Sequence, residues 1–512
     1  MSPTPTPLSN SALANQSPGN AASGAGPRLT VTRPGTGEPL GSYPIATAED
    51  VAAAVERARG AADWWAGLTF AQRGKRLDAF RGILARRFAQ ISKLVSEETG
   101  KPVADAAIEV ATILDHIAWA ARHARSVLGP RRTRSTLMSF HLSGSIEYRP
   151  LGVVGVIGPW NFPVMTPLGS IVFALAAGNA VVFKPSELTP GVGLWLGRYM
   201  AEAVPEAPVL QVLTGDGTTG DALARADIDK IAFTGSTATA KKVMAAAAER
   251  LTPMVAECGG KDAFVVDYDA DLDAAAEAAA WTALSNAGQT CVGTERIYVH
   301  ESVSEAFGAK LAAIVGGLRA GADDAAPIGP MTMAGQVDVV EDHLRGAVDA
   351  GARVLAGGVG APEGQVVQPS ILTGVADDAP ANTEETFGPT ANLMGFSEVG
   401  PLLARINATG YGLGGTVYGR ARAAQIARGM RTGMVSINAA LGFAMLPSVP
   451  FGGVGKSGFG RIHGPDGLRE FAYAHSAVRR RLPPVLDPTT FARTAKQDEL
   501  LATVVNLLHG GA

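Results

Sequence analysis

Hydrophobic and polar positions change rhythm twice along this 512-residue chain. "AEDVAAAVERARGAADWWAG" (48–67) has an acidic start and apolar residues at helical spacing, which predicts a helix. "AQRGKRLDAFRGILARRFAQISKLVSEETG" (71–100) repeats Leu77, Phe80, Ile83 and Leu84, then Ile91, Leu94 and Val95. That spacing predicts a second helical stretch closing on Gly100, a residue suited to a helix C-terminus. From about residue 150 short apolar runs take over: "GVVGVIG", "AVVFKPSE", "APVLQVLTG", "DKIAFTG" and "TPMVAECGG". Helical segments separate them at intervals of roughly 25 residues, the βαβ rhythm of a doubly wound parallel sheet buried on both faces.

A second α/β segment runs over 261–438 ("DAFVVDY", "ERIYVH", "GTVYG", "GMVSIN"), and "PFGGVGKSGFG" follows as a glycine-rich loop. Residues 1–29 are Pro, Ser, Ala, Gly and Asn with almost no charge, and such a segment buries too little to offset its ordering entropy. It is expected to be disordered. The end of the chain, 483–512, carries Leu500, Leu501, Val504, Val505 and Leu508 on one helical face.

Composition narrows the function classes. With 46% hydrophobic and 18% charged residues the chain reads as globular and water-soluble, and a formal net charge of −3 gives no basic face for a nucleic acid. Two cysteines, Cys258 and Cys291, without a CxxC, exclude a thiolate metal site and a disulfide framework and fit a reducing compartment. The start has no signal-peptide pattern, so the cytoplasm is the expected location.

In an α/β sheet of this kind ligands sit at the carboxyl ends of the strands. Those ends are Gly158–Asn161, Lys184–Glu187, Thr214–Gly220, Thr234–Thr237 and Glu257–Gly260. "FTGST" ends a strand and opens a helix, either an ordinary cap or a site for pyrophosphate. "VFKPSE" offers Glu187 to ribose hydroxyls, or simply a solvated ion pair with Lys184. Glu257 follows a buried strand, where a carboxyl is either a general base of raised pKa or an exposed acid. "GGVGKSG" lacks the first glycine of a P-loop, since Pro450 stands there, and lacks the flanking strand and helix; an NTPase is rejected. Cys291 sits in a small polar turn, "NAGQTCVGTE", in which only Ala287 and Val292 are apolar; it is either an incidental loop cysteine or a thiol placed there for its chemistry.

In order along the chain, "GPWNFP", "KPSE", "FTGST", "ECGGKD", "GQTC", "EETFGP" and "PFGGVGKSGFGR" resemble the aldehyde dehydrogenase superfamily over roughly residues 30–480. The resemblance implies a Rossmann-like cofactor domain (30–138 and 151–260), a second α/β catalytic domain (261–438) and a small β oligomerisation element (139–150 and 466–482). It implies Cys291 as nucleophile, Glu257 as general base and Asn161 as the side-chain half of an oxyanion hole. Lys184 and Glu187 would hold the adenosine ribose, Ser236 the pyrophosphate, and Glu385 with Phe387 the nicotinamide ribose. Ile157, Gly158, Pro159, Trp160, Ser186, Gly217, Phe233, Thr234, Gly235 and Gly259 complete the expected cofactor contacts. The cofactor is NAD, with NADP as an alternative that Glu187 should disfavour. No metal is expected.

The resemblance also implies an NAD(P)-dependent, hydrolytic and non-acylating oxidation of an aldehyde to its acid. Phe162, Met165, Thr290, Val292 and Phe443 would line the substrate tunnel, with Gly169 leaving room. These stretches carry no Arg or Lys to pair a substrate carboxylate, which favours an apolar aliphatic or aromatic aldehyde over a semialdehyde. A cysteine hydrolase or esterase using the same thiol without redox is the alternative; His300 is the histidine nearest Cys291 in sequence. A helix after Cys291 would lower the thiol's pKa. Cys258 is a packing residue or a redox partner of Cys291, with packing favoured. Ala240 stands where the family often has glycine. The expected partners are a small-molecule aldehyde and a second copy of the chain, as a homodimer or homotetramer. "SFHLSGSIEYRP" would form a hairpin about its Ser-Gly, and "EFAYAHSAVRR" would join it. A membrane is the least favoured role for the C-terminal tail.

Overall fold

The computed structural model describes residues 26–358, 360, 362–483 and 490–511. Residues 1–25 of the expected disordered segment lie outside these, as do 484–489 and Ala512 in the tail. The segment's last residues depart from expectation, because Arg28 and Leu29 open a strand, Arg28–Thr32, paired antiparallel with Pro39–Pro44.

Among the described residues two compact units emerge, one within 26–127 and 150–473 and one within 128–149 and 474–511. The first unit is built on two sheets. One has six strands in the order Gly458–Phe459, Met254–Glu257, Lys230–Thr234, Val153–Ile157, Ala180–Lys184, Leu210–Val212. The other five strands run parallel to one another, and Gly458–Phe459 alone is antiparallel, pairing Gly458 with Glu257. The strands Val153–Ile157 and Ala180–Lys184 are buried along their whole length, which is why they read as continuous apolar runs.

The second sheet has seven strands: Arg353–Gly357, Ser370–Thr373, Thr390–Phe396, Thr294–His300, Asp262–Val266, Gly415–Tyr418 and Ser436–Ile437. Only the edge strand Arg353–Gly357 runs antiparallel. Separate apolar clusters cover its two faces, one around Phe264, Ile297, Val299 and Phe307, the other around Val265, Tyr298, Val417 and Ile426. Alternate residues of one strand supply opposite faces, as the period of a strand demands.

The first predicted helix runs Ala48–Gly67, opened by a capping box between Thr47 and Asp50. The stretch predicted as one helix over 71–100 is two, Phe70–Arg86 and Phe88–Thr99, broken at Arg87 (φ −108°, ψ 19°). Both pieces pack against the helix Pro190–Ala203, and the Arg87 guanidinium lies 4.5 Å from the centre of the Tyr199 ring on it. Gly100 closes the second piece with φ +78°.

In the smaller unit Leu142–Pro150 lies between Arg131–Thr133 and Ala472–Arg480. The hairpin expected about Ser143–Gly144 is displaced. Gly144 sits inside the strand opposite Thr133, and the chain reverses over residues 134–141 instead. A Cβ at Gly144 would collide with the Thr133 hydroxyl, so the glycine serves strand pairing. The tail forms the helix Ala495–His509, with no buried residue.

Candidate active site

Cys291 owes its position to a sharply bent turn. The helix Leu272–Leu284 ends and a short 3₁₀ turn, Ser285–Gly288, follows, with Asn286 and Ala287 left-handed at φ 54° and 53°. Gly288 is left-handed too (φ +69°), and a Cβ there would run into the Gly388 carbonyl. Asp105 accepts from the Asn286 N–H at 3.2 Å, and Gln289 Oε1 accepts from the Thr332 N–H at 2.8 Å, which pins the turn from both sides. Cys291 then stands partly exposed, whereas Cys258 is buried.

The helix expected after Cys291 does not exist; the strand Thr294–His300 follows. The thiol therefore gains no helix dipole. Burial, together with the acids Asp262, Glu257 and Glu385, raises its pKa, while the Val292 N–H donated to the sulfur opposes them. At rest Cys291 is a thiol.

Glu257 ends its strand 4% exposed, and neither carboxylate oxygen has a hydrogen-bond partner. Burial holds its pKa well above the usual carboxylate range; Arg461 opposes this and Glu470 adds to it. The glycine-rich loop is stitched beside it through Cys258 N–H to Ser457 O at 3.1 Å, and Arg461 donates to the Gly453 carbonyl at 2.9 Å. Cys258 packs in the apolar cluster under the sheet, its thiol pushed up to about 12 by burial.

Asn161 ties the first sheet to the cysteine turn. Its side-chain amide donates to Gln289 O at 2.9 Å, and its carbonyl accepts from Asn286 Nδ2 at 3.3 Å and from Lys101 Nζ. Lys101 is fully buried and pairs with Glu109 at 3.1 Å. The second oxygen of Glu109 accepts from the N–H groups of Val164 (2.6 Å) and Met165 (3.0 Å). A buried ion pair so thoroughly hydrogen-bonded fixes the loop that carries Asn161.

Two cavities meet at Cys291. The larger, about 350 Å³, brings together Pro159, Trp160, Asn161, Thr234, Gly235, Ser236, Glu257, Gly259, Glu385 and Phe387 from the expected set. Ser236 caps the helix Thr237–Ala248, and Ala240 is buried on that helix. Glu385 accepts from the Gly260 N–H at 3.0 Å, and a Cβ on Gly259 would strike its carboxylate. Burial and Glu295 push the Glu385 carboxyl up to about 8. Phe387 is left-handed (φ +51°) and meets the Trp160 ring edge-on at 5.6 Å. Glu295 holds that strained turn by accepting from the Thr386 and Phe387 N–H groups, the latter at 3.0 Å, while paired with buried Lys261. Glu295 carried no sequence signal beyond its charge, and Lys261 stood in the "ECGGKD" motif without an assigned role.

Ile157 and Phe233 belong to the apolar cluster beneath the strand ends rather than to the cavity wall. Gly158 donates to Lys184 O at 3.0 Å, so the two strand ends stay side by side. Lys184 pairs with Glu187 at 3.1 Å, and Ser186 Oγ lies 3.4 Å from the same carboxylate. Gly217 opens a helix at the neighbouring strand end, next to its cap Asp216.

The smaller cavity, about 130 Å³, is lined by Phe162, Met165, Thr290 and Val292 as expected, and also by Asp105, Ile108, Trp281, Ala444 and Met445. Phe443 is turned away; it is buried, 6.3 Å from the Phe451 ring and against Gly414. The room left by Gly169 is filled by His463, whose ring lies 4.2 Å from His116. His463 lines the larger cavity with both ring nitrogens free of hydrogen bonds, so it forms no Cys–His pair. His300 instead bonds Ser302 at 2.8 Å and packs edge-on to Phe396.

A model of the aldehyde dehydrogenase family matches residues 21–477. A putative succinate-semialdehyde dehydrogenase [NADP(+)] of Mycolicibacterium smegmatis is 34% identical over 87% of this chain and 88% of that protein. A 4,4'-diapolycopene aldehyde oxidase of Methylomonas sp. is also 34% identical, over 94% of this chain and 91% of its own length. The crystal structure of an NAD-dependent aldehyde dehydrogenase from Sinorhizobium meliloti superposes with a TM-score of 0.86 at 32% identity, covering 92% of this chain and 94% of that one.

Proposed function

The chain belongs to the aldehyde dehydrogenase family, and on that premise we propose which of its residues carry the reaction and which aldehyde it takes. It oxidises an aldehyde to the carboxylic acid with NAD or NADP. The meeting of two cavities at Cys291 carries the assignment of roles, because it lets substrate reach the sulfur from one side and cofactor from the other.

Cys291 loses its proton to solvent, the thiolate adds to the carbonyl carbon, and the carbonyl π pair moves to oxygen to give an oxyanion. Asn161 and the Cys291 N–H are the donors for that charge, and the Lys101–Glu109 pair keeps the Asn161 loop from shifting. A nicotinamide held beside Glu385 and Phe387 would supply the hydride acceptor, and loss of hydride to it would leave a thioester on Cys291. Glu257 then takes a proton from water, the hydroxide carbon bond forms, and the Cys291 sulfur leaves as thiolate.

The cavity residues fit a dinucleotide. Gly235 and Gly259 leave the wall free of side chains, and a Cβ at Gly235 would press on the Phe233 ring at 2.8 Å. Ser236 and the first amides of Thr237–Ala248 would hold the pyrophosphate, and Lys184 with Glu187 the adenosine ribose. Glu385 would hold the other ribose, fixed in place by Glu295.

The substrate is an uncharged apolar aldehyde. The tunnel wall contains no Arg, Lys or His among the described residues, and its charged members are Asp105 and Glu109. A carboxylate-bearing substrate would find no cation on that wall to pair with, which disfavours the semialdehyde suggested by one relative's name. Ala472–Arg480 is an edge strand of its sheet with largely exposed residues, suited to pairing in a homodimer or homotetramer. Two unpaired thiols suit the cytoplasm. No helix among the described residues is long and apolar enough to cross a membrane.

Stopped-flow measurement of reduced nicotinamide tests the division of labour. Cys291→Ala should give no signal. Glu257→Gln should keep a burst of about one equivalent and lose on the order of 100-fold or more in steady-state rate. A Glu257→Gln variant that turns over like wild type would remove the base from the scheme. Hexanal should exceed succinate semialdehyde at least tenfold in kcat/KM, and the reverse order would favour the semialdehyde.

A further inference from the structure

We infer that the natural substrate is a long, unbranched apolar aldehyde whose tail leaves the tunnel and lies on an apolar collar of Ile108, Trp281 and Met445. This rests on the aldehyde-oxidising reading above and deepens it.

Size is the first argument. The tunnel holds about 130 Å³, a little less than the roughly 150 Å³ cavity that admits one benzene. That accommodates the reacting carbonyl and a few methylenes. A longer chain has to pass the mouth.

The mouth is built to receive it. Ile108, Trp281 and Met445 line the tunnel and are nevertheless 45%, 41% and 59% exposed, so each spans wall and rim. Leu446, next in the chain, is 55% exposed. Single exposed apolar residues need no explanation, but large ones gathered at the entrance of a cavity mark a binding surface. They also come from three separate elements, the helices Val103–Leu128, Leu272–Leu284 and Gly442–Met445. In "LDAAAEAAAWTAL" the one large apolar residue on the exposed side is the tryptophan at the mouth. The third element is aimed by left-handed backbone at Asn438 (φ 50°) and Leu441 (φ 48°), which turns Ala440, Leu441, Ala444 and Met445 onto the cavity.

Charge points the same way. Glu109 is consumed by Lys101 and two backbone N–H groups, and one oxygen of Asp105 accepts from the Asn286 N–H. No Arg, Lys or His among the described residues lines the tunnel to hold a charged or polar tail. Met445, unbranched and flexible, can follow tails of different shape.

A fully buried methylene is worth about 0.8 kcal/mol, or about fourfold in affinity; one half-covered on a collar is worth about twofold. The test is kcat/KM for n-alkanals from butanal to dodecanal at fixed NAD, with wild type and the Trp281→Ser/Met445→Ser double variant, both checked by thermal melting and by mass in solution. We expect wild-type kcat/KM to climb past hexanal and reach at least tenfold by dodecanal. In the double variant the dodecanal-to-butanal ratio should fall at least fivefold. A plateau by hexanal, or a ratio the double variant leaves unchanged, overturns the collar. So does a variant that merely loses assembly size, since the collar then belongs to a contact between copies. If wild type oxidises no alkanal, butanal included, the aldehyde reading itself has failed and takes the collar with it.

Discussion

At the scale of single residues, the two groups assigned to the chemistry rest in their protonated forms. Glu257 lacks any hydrogen-bond donor and Cys291 faces three acids, so the pKa of each is raised. A base of raised pKa becomes competent as pH rises, and so does a nucleophile. Steady-state kcat should therefore increase from pH 6 to pH 9 instead of levelling off at pH 6, as it would for an ordinary carboxylate. A pH series read twice, as burst rate and as steady-state rate, separates the two groups. In Glu257→Gln the burst rate should keep its rise with pH, because the thiol alone still titrates. A flat wild-type profile would mean that neither group limits turnover.

At the scale of elements, the loop carrying Cys291 depends on backbone that few side chains tolerate. Gly288→Ala adds a Cβ at φ +69° against the Gly388 carbonyl, and strain of this kind costs about 1–3 kcal/mol. Gly60 offers the contrast. It lies within the helix Ala48–Gly67 with open space around its Cα, so Gly60→Ala should stabilise by about 0.5–1 kcal/mol. Melting temperatures of the two variants should move in opposite directions, and only Gly288→Ala should lose activity. Equal behaviour would show that the turn yields without cost.

At the scale of the whole molecule, burial of acids ties stability to pH. Burial pushes the carboxyls of Glu98 and Glu385 up to about 8 and that of Asp262 up to about 7. Between the ordinary carboxylate range and these values the folded chain holds protons that the unfolded chain has released. Stability from these groups is fully present at low pH and is lost as pH rises through 7 and 8. His116 and His463, both lowered by burial, act below pH 6.5 in the opposite sense and are neutral in both states above it. The thiols of Cys258 and Cys291, also raised, add to the alkaline loss; the lowered Lys261 opposes it. Without cofactor, the melting temperature should fall between pH 6.5 and pH 8.5. A rise over that interval would mean the three carboxyls ionise in place.

The chain by itself determined what neighbouring residues decide. Strands buried on both faces need continuous apolar runs, so Val153–Ile157 and Ala180–Lys184 were legible, as were the helix Ala48–Gly67 with its acidic start and the end at Gly100. The same holds for the order of motifs that brings Asn161, Glu257 and Cys291 to one family's pattern. Tertiary structure decided whatever depends on packing between distant segments. The break at Arg87 lies where both helix pieces pack on Pro190–Ala203, and the hairpin reversal over 134–141 goes with the pairing of Gly144 and Thr133. His463 fills the gap at Gly169, and Trp281 and Met445, not Phe443, reach the tunnel. The protonation of Cys291 and Glu257 belongs here too. Desolvation and neighbouring charge are set by what surrounds a group in space, and its sequence neighbours contribute little of that.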